Sequence, residues 1–128
     1  MKSSFDVLYE KANHDFITVE NLLKFENSPT DTMAFHLQQM IEKLLKCLLI
    51  KHNMDFRPSH DLFYLLNYIE EIYPEYSEFY DLAEKLSPHA VINRYEEGYL
   101  ISKSEFEKLY KDSISFRNTI LKTLNSDK

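Results

Sequence analysis

The stretch AFHLQQMIEKLLKCLLI, Ala34 to Ile50, decides how the rest of the chain is read. At about 100° per residue, Met33, Leu37, Met40, Ile41, Leu44, Leu45, Leu48 and Leu49 fill a helical face roughly 180° wide. A helix at the surface needs only a narrower apolar stripe. The pattern therefore predicts a central helix over about Thr32 to His52, touched by several others. Polar residues run through it: His36, Gln38, Gln39, Glu42, Lys43 and Lys46. Taken alone, they read as the wet edge of a core helix. Gln38, Glu42 and Lys46 recur at four-residue steps on one stripe, with Gln39 and Lys43 on its neighbour. Glu42 before Lys46 is the favourable order for a helical ion pair, worth only about 0.2–0.5 kcal/mol.

Working outward, a first helix is predicted from about Ser4 to Phe25, with Phe5, Leu8, Ala12, Phe16, Val19, Leu22 and Leu23 on one face. The segment ENSPTD breaks it, and Thr30 or Asp31 offers a cap for the central helix. NMDFRPSHD reads as a loop, since Pro58 biases Arg57 toward an extended backbone. Ser59 or His60 then starts a third helix through LFYLLNYIEEIY, which Pro74 ends. A shorter fourth helix is predicted from Glu75 to Leu86. SPHAVINRYEEGYLIS is the least regular stretch and holds the only glycine, Gly98. Ser102 and Glu105 form a Ser-x-x-Glu capping box. It opens a last helix to about Leu124, with Phe106, Leu109, Tyr110, Ile114, Arg117, Ile120, Leu121 and Leu124 in step. The expected architecture is all-α: one domain over residues 1–128, an antiparallel bundle of about five helices.

Composition narrows the function classes. Of 128 residues, 44% are hydrophobic, enough for one core and too many for a disordered chain. One glycine leaves no room for a Gly-rich phosphate loop or a dinucleotide fingerprint. A formal net charge of −6 gives no long-range attraction to RNA or DNA. The single cysteine, Cys47, excludes a disulfide framework and sits among leucines, as a buried structural thiol does. No apolar run approaches a membrane span, and MKSSFDVLYEK has no signal-peptide core. A cytoplasmic location is the expectation.

Catalytic motifs are scarce. The histidines at 14, 36, 52, 60 and 89 make no His-x-x-x-His pair, and the ferritin-like Glu-x-x-His is absent because Leu45 follows Glu42 at that step. No metal and no cofactor is expected. No Gly-x-Ser-x-Gly is present. Beside the central helix, two polar groupings remain. In RPSHDL, Asp61 suits a helix N-terminus, whereas His60 is unexplained by capping. In NRYEE, Arg94 suits either a salt bridge across the bundle or a phosphate.

Together the three groupings resemble the HEPN family of small helical bundles. The resemblance rests on FHLQQMIEKLLKCLLI, close to the family's F-H-x-Q-Q-x-x-E-K-x-L-K-x-L-L, then on HDL at His60 to Leu62 and RY at Arg94 and Tyr95. It spans essentially the whole chain. The family implies a dimeric bundle, with members that accompany a minimal nucleotidyltransferase. A related bundle forms the C-terminal part of aminoglycoside nucleotidyltransferases, where it helps build the substrate and nucleotide site. Other members are metal-independent RNases of toxin or defence systems. Those depend on an Arg with a His downstream, about four to six residues between them. Here Arg57 and His60 have only Pro58 and Ser59 between them, and neither Arg94 nor Arg117 has a His downstream. The residue after RY is Glu96, where the family often has Pro.

The resemblance implies a binding module rather than an enzyme. Its expected site comprises Gln39, Glu42, Lys43, His60, Asp61, Arg94 and Tyr95. Lys43 and Arg94 would meet a phosphate, Glu42 would position Lys43 or a hydroxyl, and Tyr95 would stack on a base. The expected partners are a second copy of the chain, a nucleotidyltransferase in a toxin–antitoxin-like setting and a nucleotide, with no RNA and no membrane. Two alternatives stand beside it: an RNase built on a spatial pairing such as Arg94 with His60, and a dimeric scaffold whose polar residues fix helix register.

Overall fold

The structure is a computed structural model, and it describes residues 2–90 and 101–126. Among the described residues five helices form the bundle: α1 (Ser4–Leu22), α2 (Thr30–Lys51), α3 (Leu62–Ile72), α4 (Tyr80–Leu86) and α5 (Lys103–Leu124). Two 3₁₀ turns, Pro74–Phe79 and Ser87–Ala90, flank α4. No strand occurs among the described residues.

α2 is the central element, packed against α1, α3, α4 and α5. All eight residues of its predicted apolar face are buried, and so are Ala34 and Cys47. α1 runs antiparallel to it, because Phe5 lies beside Cys47 while Asp15 reaches both His36 and Lys43. α5 lies along α2 in the same direction. The Thr30 hydroxyl donates to the Ile101 carbonyl at 2.7 Å at one end, and Lys51 reaches the last carbonyls of α5 at the other. α3 ends beside the C-terminal end of α2, where the Tyr73 hydroxyl lies 2.8 Å from His52 Nε2, and the chain then runs back along α5, from Tyr76 on Thr123 to Phe79 on Phe116.

Local chemistry explains the boundaries. Ser3 and Asp6 make a capping box at the start of α1. α1 stops at Leu22, three residues before the sequence expectation. The amides of Lys24 and Phe25 bond three residues back, to Asn21 and Leu22, and Ser28 Oγ donates to the Leu22 carbonyl at 2.6 Å. These tighter bonds satisfy carbonyls at the helix end and turn the chain. α2 begins at Thr30 with Pro29 as its cap residue, so neither Thr30 nor Asp31 holds the capping position. α3 starts at Leu62, with Asp61 Oδ1 accepting from the Phe63 amide at 2.9 Å. Pro74 ends it as expected, with Tyr73 at the C-cap.

The predicted helix from Glu75 to Leu86 divides into a 3₁₀ turn and a short α-helix. Tyr76 and Phe79 are three apart, so the tighter turn puts both on one side. Both are buried there, with Phe79 stacked on Phe116 of α5 at 3.8 Å between ring centres. The Ser102–Glu105 capping box opens α5 as expected. Its buried stripe is Phe106, Leu109, Ser113, Phe116 and Ile120. Tyr110, Ile114, Arg117, Leu121 and Leu124, expected in step, flank that stripe half-buried.

Candidate functional site

Two carboxylates are buried along the polar side of α2, and each gathers a lysine and a histidine. The first is Glu42, which is 2% exposed. Lys46 Nζ donates to it at 3.0 Å from one turn along α2. His60 Nδ1 lies 3.1 Å from each of its oxygens. Gln38 Nε2 donates to Oε1 at 3.2 Å. An ionised carboxylate only accepts, so Nδ1 of His60 carries the proton in this contact. Gln39 extends the group by donating to Gln38 Oε1 at 2.7 Å.

The second carboxylate is Asp15 of α1, 6% exposed. His36 Nδ1 sits 2.8 Å from one oxygen and Lys43 Nζ 2.6 Å from the other. The Phe35 ring packs nearly perpendicular to the His36 imidazole, 5.2 Å between ring centres. Each carboxylate thus receives charge-assisted hydrogen bonds that offset its loss of water.

The helix geometry explains why the two groups are separate. Residues four apart face each other, whereas neighbours point about 100° apart. Glu42 therefore holds Lys46. Lys43, expected to be positioned by Glu42, is turned toward α1 and bonds Asp15 instead. Between them the half-buried seam of α2 runs through His36, Gln39, Lys43 and Lys46. Each ammonium has three donors. One donor per lysine goes to a buried carboxylate, so the heads are held in place along the seam with donors remaining.

Among the expected residues, Glu42 and His60 are therefore in contact, Gln39 is one hydrogen bond further on, and Lys43 belongs to the adjoining group. Asp61 is exposed and caps α3, with Ser59 Oγ accepting from its amide at 3.0 Å. Arg94 and Tyr95 lie outside the described residues. The structure adds Asp15, His36, Gln38 and Lys46. Asp15 had a legible signal: it occupies the register Leu8, Ala12, Asp15, Val19, where an apolar residue belongs on the buried face of α1.

No group of three or more His, Cys, Asp or Glu among the described residues converges as a metal site. No described helix is long and apolar enough to cross a membrane. Cys47 offers no nucleophile, since burial pushes its thiol up to about 12. What the α2 seam offers is a fixed row of cationic and amide donors beside two exposed or half-exposed imidazoles.

No curated relative and no solved structure matches the chain significantly. The family model of the HEPN domain matches residues 5–124, nearly the entire length. With the helical bundle and the FHLQQMIEK–HDL–RY motifs, that match places the protein: the chain belongs to the HEPN domain family.

Proposed function

We propose that this HEPN domain is a non-catalytic binding module. In this reading a homodimer holds a nucleotide or another phosphate-bearing ligand at the α2 seam, docked to a minimal nucleotidyltransferase as in toxin–antitoxin-like pairs. One observation carries the ligand: Lys43 and Lys46 stand one helical turn apart, each pinned by a buried carboxylate, with Gln39 on the same seam. A phosphate would find donors already fixed in position, which lowers the ordering cost of binding. Arg94 would add a guanidinium and Tyr95 a stacking face. The nucleotidyltransferase partner is taken from the family resemblance.

An RNase reading is weaker. The Arg–His spacing it needs is missing, His60 is engaged by Glu42, and the net charge of −6 repels RNA. A scaffold reading has one specific support: both buried carboxylates are fully partnered within the chain, as in networks that fix helix register.

Calorimetry with ATP and GTP on the wild type, Lys43→Ala and Arg94→Ala tests the ligand. Binding is expected in the wild type and at least about tenfold weaker in either variant, the loss of one charged hydrogen bond. Absence of heat with every nucleotide would remove the ligand and leave the scaffold. Light scattering after gel filtration checks the dimer. Cleavage of total RNA that disappears in His60→Ala would replace this reading with the RNase.

A further inference from the structure

α1 and α5 both pack on α2, and a recess opens between them. It is lined by Tyr9, Ala12 and Asn13 of α1, Leu44 of α2, and Arg117 and Leu121 of α5. Arg117 is half-buried, and its guanidinium carbon lies 3.8 Å from the centre of the Phe16 ring. The stacking orients the group and supplies a cation–π contact. It provides no acceptor for the guanidinium N–H groups.

No described residue accepts a hydrogen bond from Arg117 or pairs with it as an ion. The neighbouring carboxylate, Glu20, is instead engaged by the Tyr110 hydroxyl. Burial, together with that bond and the charge of Glu20, pushes the Tyr110 hydroxyl up to about 12, so it remains a donor to Glu20. Burial draws the Arg117 pKa down, and the charge of Glu20 only partly opposes it. The group nevertheless stays charged across the working range of a protein.

We infer that the α1–α5 recess is a binding subsite for a small carboxylate, with the Arg117 fork as its anchor and Asn13 as a second donor. The shape fits that class. A volume of about 20 Å³ admits roughly one water-sized atom, so a single oxygen of the ligand enters it and the rest stays outside. A guanidinium stacked on a ring presents its N–H groups at its edge, where a planar carboxylate meets them. Exposed Tyr9 and Asn13 form the rim, and the remainder of the acid would project past them into solvent. None of these residues belongs to the Asp15 or Glu42 groups, so this site goes beyond the α2 seam.

The probe is sodium acetate against sodium chloride and sodium phosphate at matched ionic strength, followed by ¹⁵N NMR of arginine Nε–H and side-chain amide signals. Acetate is expected to move the Arg117 Nε–H and Asn13 amide signals along a saturating curve, while the other two salts do not. Arg117→Lys keeps the charge but loses the fork, and should weaken acetate binding by about ten- to a hundredfold. Asn13→Ala leaves the Phe16 stack in place and should weaken it several-fold, which keeps the test decisive if the Arg117 variant does not fold. A linear response, the same response to all three salts, or undiminished binding in a folded variant would overturn the subsite.

Discussion

His60, in the loop before α3, places Nδ1 3.1 Å from both oxygens of Glu42, which is buried in the middle of α2. Its side chain is 75% exposed, while that of Glu42 is 3% exposed. The contact therefore joins a solvent-facing ring to a buried carboxylate, and couples the start of α3 to the central helix. The Gln38 amide reinforces the joint by lying 3.5 Å from the His60 carbonyl.

The partners of Glu42 differ in burial, and this ranks the substitutions. Glu42→Ala strands the buried Gln38 amide and leaves the half-buried Lys46 ammonium without its carboxylate. Removing one member of a buried pair costs about 3–5 kcal/mol, and about 2–4 kcal/mol is expected here because His60 regains water. His60→Ala removes only an exposed partner and should cost under about 1 kcal/mol. The double change Glu42→Leu with Lys46→Met leaves no charge behind and should recover most of the loss. Urea unfolding of the three variants checks the order. A Glu42→Ala protein as stable as the wild type would show that the carboxylate bears no structural role.

The Glu42 group also shows what the sequence makes legible. The apolar period of α2 predicted a central helix, and every residue of that face is buried, because periodicity reports burial directly. The same period places Glu42 and Lys46 on one stripe. It does not say that the stripe is covered. That depends on where the His60 loop docks, a contact between residues eighteen apart in sequence. Asp15 was hidden for a related reason. Its partners, His36 and Lys43, lie on another helix, and only the interruption of an apolar register marked it. The 3₁₀ turn before α4 depends on Phe116 receiving Phe79, another long-range contact that a local pattern does not contain.

Lys51 ends α2 and closes α5. Its Nζ donates to the carbonyls of Thr123, Leu124 and Ser126 at 3.1, 3.0 and 2.9 Å. The last carbonyls of a helix lack intrahelical partners, and a cation there also meets the negative end of the helix dipole. Lys51→Met keeps most of the apolar stem and removes only the charge and donors. It should cost about 1–2 kcal/mol, toward the upper end for a half-buried dipole contact. Hydrogen exchange should quicken in the last turn of α5 and much less in its first turn, where the Ser102–Glu105 box persists. Uniform acceleration along α5 would contradict a local capping role.

Cys47 supplies a reporter of unfolding. Burial places its thiol at about 12, well above the ordinary value for cysteine. At pH 8 the thiolate fraction is then on the order of one in ten thousand, and the sulfur is also buried. The native protein should resist iodoacetamide at pH 8, while the urea-unfolded chain should react as an ordinary cysteine. The sign for stability follows from the raised value. Stability is unaffected at neutral pH and falls as pH rises above the unfolded thiol pKa, because the unfolded chain then gains the thiolate first. Rapid labelling at neutral pH under native conditions would refute the buried thiol.

Ser113 is the one described residue whose fully buried side-chain oxygen has no hydrogen-bond partner. It sits on the buried stripe of α5 between Leu109 and Phe116, where the other side chains are apolar. An unpartnered buried hydroxyl costs about 1–3 kcal/mol in lost solvation. Ser113→Ala removes that oxygen and improves helix propensity, while leaving a gap only one atom wide. The two gains exceed the small packing loss, so stability should rise by about 1 kcal/mol. For a domain of this size, that is a melting temperature higher by about 3–6 °C. Ser113→Val, which adds a heavy atom to a fully buried site and a branch inside a helix, should gain less, because the site is overpacked and χ1 is restricted against the preceding turn. Calorimetric melting of both variants measures the difference. A clear loss of stability in Ser113→Ala would mean that the hydroxyl is satisfied in solution, and that α5 seats against α2 through a polar contact at this point.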